Sequence, residues 1–188
     1  KPSGKGKMSK RETAALKESG HSIFIKDLRE LDYIPEGVIN WISLMGWSYD
    51  AHTEFFNLND LIEKFSLDRL NPSPAAINFT KLDHFNGLHI RNLSVQDLAH
   101  RLKPFFLSAG FSVDNEKLEQ VARIIQIRIV TLDEAIPMAG FFFQEEIQPD
   151  PAALVGKGLS AIESAQAARR ALSLLERLPQ ISVDTAEE

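Results

Sequence analysis

The sequence predicts a mainly α-helical protein. Apolar residues recur at spacings of three and four through most of its 188 residues, which is the pattern of helices that bury one face. Serine, threonine, aspartate or asparagine stands just before many of these segments, where such side chains cap the first turn of a helix. Only the short run His21–Ile25 has the composition of a strand. We therefore expect helices joined by loops, with at most one short strand.

The expected helices of the first part are short. They cover residues 13–18, 26–31, 35–45 and 59–65. Pro35 suits the first turn of a helix and Gly46 suits the end of one. Asn59 is the expected N-cap of the last of these helices, whose buried residues are expected to be Leu61, Ile62 and Phe65.

Longer helices are expected after the proline-rich break at residues 71–74. Thr80 and Asp83 have the spacing of a capping box and predict the start of a helix that reaches residue 90. Ser94 and Asp114 predict the starts of the next two, and Pro104 is expected to kink or shorten the first of them. Shorter helices are expected to begin at residues 131 and 151. The last helix covers 159–178, and its apolar face, which includes Leu172 and Leu175, is expected to be covered.

The composition excludes several classes of protein. The formal net charge of −5 argues against a protein that coats nucleic acid indiscriminately. The sequence has no apolar run long enough to cross a bilayer and no secretory signal at its start. It has no cysteine, and its five histidines are scattered, so we expect no metal site.

The first dozen residues combine flexibility with positive charge. They contain two glycines, four lysines and an arginine, which suits a loop that grips and releases a polyanion. Within them, Lys7-Met8-Ser9-Lys10-Arg11 resembles the Lys-Met-Ser-Lys-Ser signature loop of class I aminoacyl-tRNA synthetases, and the ending in arginine is typical of the glutamyl branch.

Two later blocks extend the resemblance to bacterial-type glutamyl-tRNA synthetases. Residues 28–47 are similar to the block that follows the signature loop in that family, with Asp32 in place of a glycine and Gly37 in place of an alanine. Residues 65–75 and 81–91 are similar to a second block. The resemblance implies the C-terminal part of such an enzyme, without its nucleotide-binding fold. We expect a fragment that is inactive by itself.

The resemblance also implies an architecture and a set of partners. It divides the chain into the end of a catalytic domain (residues 1–20), a helical stem-contact domain (21–93) and a truncated α-helical anticodon-binding bundle (94–188). The parent enzyme would join glutamate to tRNA(Glu) with ATP and Mg²⁺, whereas no cofactor is expected on the fragment. The protein is expected to be monomeric, without a membrane, and cytoplasmic, with an organelle as the alternative.

The resemblance also implies roles for particular residues. Lys10 would contact the phosphates of ATP with help from Lys7, and Ser9 would donate a hydrogen bond in the loop or to phosphate. The residues expected to bind RNA are Arg69, Lys81, His84 and Arg91 on the stem side, and Arg128 with its neighbours Arg123 and Gln126 on the anticodon side.

Several other interpretations compete with this one. The chain could be a non-catalytic RNA-binding module derived from a synthetase, part of a class I lysyl enzyme, or a helical scaffold without an RNA role. A basic tail is the competing explanation of the first residues, and solvated or paired charges are the competing explanation of the arginines and lysines.

Overall fold

The computed structural model describes residues 10–72 and 75–178, and this part of the chain is helical. Its α-helices are α1 (Lys10–Glu18), α2 (Ile25–Glu30), α3 (Pro35–Ser43), α4 (Leu58–Lys64), α5 (Phe79–Asn92), α6 (Val95–Ser108), α7 (Asn115–Ile125), α8 (Ala135–Ala139) and α9 (Ala161–Leu175). Single 3₁₀ turns occur at Leu67–Arg69, Gly140–Phe143 and Pro151–Leu154. Within the described residues, β pairing is limited to an isolated bridge between Trp47 and Leu70. The prediction of a mainly α fold is confirmed.

The strand predicted at residues 21–25 is wrong. Residues 21–24 form a loop, and Ile25 is the first residue of α2. Ser22 is the physical reason, because its buried hydroxyl accepts a hydrogen bond from the Phe24 amide (3.1 Å) and donates one to Asp27 (2.8 Å). These short-range bonds hold the chain in a turn and satisfy the start of the helix.

Two predicted N-caps, at Thr80 and Asn59, are displaced, and α8 begins at Ala135 rather than at residue 131. Helix α5 is capped by Asn78, whose side chain accepts from the Lys81 amide at 3.1 Å, so the capping box at Thr80 and Asp83 is wrong. Helix α4 is capped by Asn57, which forms a reciprocal capping box with Asp60. In both cases the cap is an asparagine, because its short side chain places the amide oxygen within reach of the backbone N–H of the third residue of the helix.

The burial of Ile62 and Phe65 and the effect of Pro104 on α6 also differ from the predictions. Leu61 is buried as predicted, but Ile62 is 74% exposed and Phe65 is 42% exposed. Helix α6 passes through Pro104 without being shortened. Ser94 and Asp114 cap α6 and α7 as predicted, and Pro35 lies in the first turn of α3.

The largest core cluster joins α6, α7 and α8 to residues from earlier in the chain. Ile34 and Ile90 are buried together with Leu102, Phe106 and Ile125. The core therefore continues across the boundary expected at residues 93 and 94. Arg101 of α6 adds a polar link, since its guanidinium donates to both carboxylate oxygens of Glu36 on α3 at 2.7 and 3.0 Å.

Helices α3 and α5 approach each other closely at Gly37. A Cβ added to this glycine would lie 2.7 Å from the Cα of Asn86 and 2.5 Å from its Oδ1, so only a residue without a side chain fits the crossing. Asn86 is fully buried here, and its Oδ1 accepts a hydrogen bond from the Ile34 amide at 3.0 Å. The crossing packs Leu28, Val38, Leu82 and their neighbours into a second core cluster.

Asp32 has a left-handed backbone conformation, with φ of 57°. This is the position at which the sequence departs from the glycine of the synthetase block. Its carbonyl accepts a hydrogen bond from the Leu132 amide at 3.3 Å, which ties the turn after α2 to the segment before α8. Burial, and secondarily the nearby Asp133, raise the pKa of the Asp32 carboxyl above its usual value.

The chain divides into two compact units, the first ending at Gln144 and the second beginning at Glu145. The second unit consists of the turn at Pro151–Leu154 and helix α9, which is capped by Ser160 and Glu163. Leu172 and Leu175 are 57% and 42% exposed, so the described residues cover this apolar face only in part. None of the described helices is both long and apolar enough to span a membrane.

Candidate nucleic-acid interface

The signature loop lies mostly outside the described residues. Lys7 and Ser9 precede them, and Lys10 is the first residue of α1. The structure does describe helix α1, which follows the loop, and its contacts with α2. Lys17 of α1 forms ion pairs with Glu30 at 2.6 Å and Asp27 at 2.9 Å, both on α2, and these contacts raise the pKa of the Lys17 ammonium.

Three of the residues predicted to bind RNA share one exposed stripe of α5. Lys81, His84 and Arg91 are all exposed, and at 3.6 residues per turn their side chains leave the helix within an arc of roughly 80°. The opposite face of α5 carries the buried Leu82, Phe85 and Ile90. The amphipathic pattern of α5 therefore directs these polar groups to solvent.

The members of the stripe differ in their present contacts. Lys81 is paired with Glu54, and the His84 ring packs edge-on against Phe85 with centroids 5.6 Å apart. The guanidinium of Arg91 lies over Gly87, where a Cβ would come within 3.1 Å of its Nη1. Among the described residues Arg91 has no carboxylate partner, so its charge is available to a ligand.

Arg69 belongs to a different cluster. It follows α4, and its guanidinium carbon lies 5.3 Å from the centroid of the Tyr49 ring, while its Nη1 donates to the Tyr49 carbonyl. Lys64 also lies near this ring, at 5.7 Å from the centroid. The structure therefore does not bring Arg69 into contact with the stripe of α5.

Arg123 and Arg128 are exposed near the end of α7, and this end is bonded to the end of α5. The link is Gln126, whose Nε2 lies 2.8 Å from the Leu93 carbonyl, 3.0 Å from that of Ile90 and 3.4 Å from that of Arg91. Over the described ranges neither arginine has an ion pair. We call Arg91, Arg123 and Arg128 the arginine surface.

A second amide holds the other side of the turn that carries Arg128. The Nδ2 of Asn86 donates to the Val130 carbonyl at 2.5 Å, and the Val130 amide donates to Glu134 at 2.7 Å. The turn is therefore attached to α5 on both sides of Arg128. Both attachments are to the helix that carries the exposed stripe, so the stripe and the arginine surface form part of one compact unit.

Buried polar groups support the opposite side of α5. His89 is 5% exposed, and its Nε2 donates to the Oδ1 of Asn40 at 3.1 Å. Asn40 also accepts from the Phe56 amide (3.0 Å) and donates to the Glu54 carbonyl (2.8 Å). Burial lowers the pKa of His89, so its ring is held neutral and structural rather than offered to an anion.

Sequence reasoning missed how the interface is assembled. Gln126 and Asn86 determine how the two arginine-bearing elements meet, but Gln126 was named only as a neighbour of Arg128, and Asn86 only as part of the block at residues 81–91. The available signal was an asparagine inside the apolar face of a predicted helix, because a buried amide needs partners for all its polar atoms.

Comparison with known proteins covers nearly all of the chain. Residues 97–188 match the family model described as an anticodon binding domain, and residues 3–84 match the catalytic domain of class I tRNA synthetases (E and Q). Lys81 and His84 fall in the second match, and Arg123 and Arg128 fall in the first. Arg91 lies in the interval between them.

The chain is similar to bacterial glutamate–tRNA ligases. It is 36% identical over 167 residues to that of Dehalococcoides mccartyi, a match that covers 86% of this chain and 34% of the relative. It is 36% identical over 182 residues to that of Roseiflexus sp., covering 92% of this chain and 34% of the relative. The ligase of Borreliella burgdorferi is 39% identical over 146 residues, covering 74% of this chain and 28% of the relative.

The fold is also that of a solved ligase. A crystal structure of a glutamate tRNA ligase from Elizabethkingia meningosepticum in complex with its amino acid matches 95% of this chain and 37% of that one, with a TM-score of 0.74 and 22% identity. The chain spans about a third of the length of the curated relatives it matches. The two family matches and the similarity to these ligases agree with the sequence blocks described above. The chain therefore belongs to the glutamyl branch of the class I aminoacyl-tRNA synthetases.

Proposed function

We propose that this chain is the tRNA-binding C-terminal portion of a glutamate–tRNA ligase, and that its partner is tRNA(Glu). The observation that carries the proposal is the arginine surface, which presents three exposed guanidinium groups without carboxylate partners among the described residues. Guanidinium groups bind phosphate through paired hydrogen bonds, and A-form RNA is recognised mainly through its phosphates and 2′-hydroxyls. A protein with a net charge of −5 can still bind RNA through such a local surface.

The whole enzyme would attach glutamate to tRNA(Glu) through a glutamyl-adenylate formed from ATP with Mg²⁺. In that reaction Lys10 and Lys7 would stabilise the charge that develops on the departing phosphates, and Ser9 would donate a hydrogen bond beside them. The chain by itself is proposed to catalyse nothing, because it spans only about a third of the length of the ligases that it matches.

The division into residues 1–20, 21–93 and 94–188 is retained as a proposal about which parts meet ATP, the tRNA stem and the anticodon. Lys81, His84 and Arg91 would contact the stem, together with Arg69 from its separate cluster. Arg123 and Arg128 would contact the anticodon arm. We also propose that the protein is monomeric and acts in the cytoplasm.

The proposal is tested by measuring the binding of a tRNA(Glu) transcript across a salt series. The logarithm of the affinity should fall linearly with the logarithm of the salt concentration, because phosphate contacts release counterions. Arg91→Gln and Arg128→Gln should each weaken binding and reduce the slope by about 1 if each removes one phosphate contact. Arg29→Gln is the matched control, since Arg29 is an exposed arginine on α2 and is not a member of the arginine surface.

Two results would count against the proposal. The arginine surface is not the RNA-binding surface if Arg29→Gln reduces the slope as much as the other two variants. Glutamate-dependent exchange of pyrophosphate into ATP by the 188 residues alone would refute the statement that the chain is inactive.

A further inference from the structure

We propose that Gln126 is a positioning residue that sets the spacing between Arg91 and the turn carrying Arg128, so that both meet one RNA backbone together. This inference rests on the proposed function, because it concerns the same surface. It goes beyond it by assigning a role to a side chain that contacts no ligand itself.

The geometry of the Gln126 amide carries the inference. The last carbonyls of a helix have no partner within the helix, and those of α5 lie at its junction with Leu93. Gln126 offers two N–H hydrogens to carbonyls at 2.8 and 3.0 Å, with the Arg91 carbonyl at 3.4 Å as the third neighbour. One side chain from the end of α7 therefore caps the C-terminus of α5.

Apolar contacts alone do not fix this arrangement. Ile125 and Ile129, on either side of Gln126, are buried in the same core cluster as Ile90. Such contacts hold two helices at a distance, but they are non-directional and permit small rotations. Hydrogen bonds require a donor aimed at an acceptor, so the Gln126 bonds select one rotation of the turn against α5.

That rotation determines where the positive charges lie. Arg91 leaves the same last turn of α5 whose carbonyls Gln126 contacts, and Arg128 follows Gln126 by two residues. Asn86 holds the far side of the turn through the Val130 carbonyl, but it is also buried at the crossing of α3 and α5. Gln126 is only partly buried, whereas Asn86 is fully buried, so Gln126 is the better member of the pair to alter.

The test uses the full 188-residue chain and a tRNA(Glu) transcript, with affinity measured across a salt series. Gln126→Met keeps the length of the side chain and removes its donors, so it should weaken binding by about fivefold and lower the salt slope. Gln126→Asn keeps both donors but withdraws them by one methylene, and it should fall between the wild type and Gln126→Met. Gln96→Met is the matched control, because Gln96 is exposed and its amide donates to Glu119 on α7 at 3.3 Å.

A double-mutant cycle distinguishes positioning from a general loss of stability. In the wild type, Arg91→Gln and Arg128→Gln should be coupled, because both arginines contact one backbone at a fixed spacing. In the background of Gln126→Met their effects should become additive. Coupling that persists in this background, or a salt slope for Gln126→Met equal to that of the wild type, overturns the inference.

Two further outcomes are informative. If Gln126→Met unfolds, Gln126→Asn supplies the same comparison, and a wild-type slope and coupling in that variant overturn the inference. If the wild-type chain shows no salt-dependent binding, the proposed function fails first, and the inference fails with it.

Discussion

Asp32 has two unfavourable features in the turn between α2 and α3. Its φ of 57° is one that residues with a Cβ seldom adopt, although aspartate tolerates it better than most because its short side chain can bond locally. Its carboxyl also has a raised pKa, chiefly because of burial and then because of Asp133. A glycine, as in the synthetase block, would avoid both.

We expect Asp32→Asn to stabilise the protein at neutral pH. The substitution keeps a residue that tolerates this backbone and removes only the charge. A carboxyl whose pKa is raised on folding favours the folded state while it is protonated, and this contribution is lost as pH rises through the folded pKa. The gain in the free energy of unfolding should therefore be greatest near pH 7 and vanish below about pH 3.9, the ordinary pKa of aspartate.

Urea unfolding of both proteins from pH 3 to 8 measures this difference. Glu146→Gln, at an exposed carboxylate of the second unit, should leave the free energy of unfolding unchanged at every pH. A gain for Asp32→Asn that is equal at pH 3.5 and pH 7 would show that charge is not the cause.

At the scale of elements, α3 and α5 can cross closely because residue 37 is a glycine and has no side chain. Gly37 allows the backbone of Asn86 to come so close that an added Cβ would overlap its Cα. The synthetase block has alanine here, so this chain has a closer approach than its relatives' sequence pattern suggests. The close approach also lets the Asn86 amide reach the Ile34 amide and the Val130 carbonyl.

Gly37→Ala is expected to destabilise the protein by about 1–3 kcal/mol, the usual cost of overpacking a core. The cost arises because the added Cβ would lie 2.7 Å from the backbone Cα of Asn86 and 2.5 Å from its Oδ1, which is held by the Ile34 amide, so α3 must move away from α5. Guanidinium chloride unfolding monitored by circular dichroism measures it. Gly87→Ala on α5 is the matched control, since the atom that its Cβ meets, Arg91 Nη1 at 3.1 Å, ends a flexible side chain.

The control should stabilise the protein slightly, because alanine is the better helix former by about 1 kcal/mol. Equal losses from the two substitutions would indicate that both sites respond to something other than the contact at Gly37.

Local sequence signals predicted elements well, and long-range contacts explain the errors. Ser94, Asp114 and Pro35 act within one turn of the helix that they begin, so their roles could be predicted. Asp83 was interpreted as part of a capping box, but its carboxylate bonds Tyr33, which lies 50 residues earlier. The three residues of the arginine surface could be named from the family resemblance. Its assembly by Gln126 could not, because no short motif encodes a contact to another helix.

At the scale of the molecule, the first compact unit joins the regions of both family matches. Ile34 comes from the region that matches a catalytic domain and is buried among residues of the region that matches an anticodon-binding domain. The bidentate pair of Glu36 and Arg101 joins the same two regions and lowers the pKa of the Glu36 carboxyl. The boundary between the matches is therefore not a boundary in the core.

We expect residues 94–144 alone to show no cooperative thermal unfolding, because removing Ile34 and Ile90 opens the core to water. Residues 1–144 should unfold in one transition. Circular dichroism melts of the two fragments, with near-ultraviolet signals as a second probe, make the comparison. An independent cooperative melt of 94–144 would show that the anticodon-side helices fold without the earlier residues.

The bond between the Asp32 carbonyl and the Leu132 amide also has a consequence in time. Its two partners are separated by a hundred positions, and a ribosome adds roughly 5–20 residues per second. During synthesis the Asp32 carbonyl is therefore made about 5–20 s before the Leu132 amide that donates to it. Ile34 is buried among residues that are made later, so the first third of the chain completes its fold only once the residues around α8 have been made.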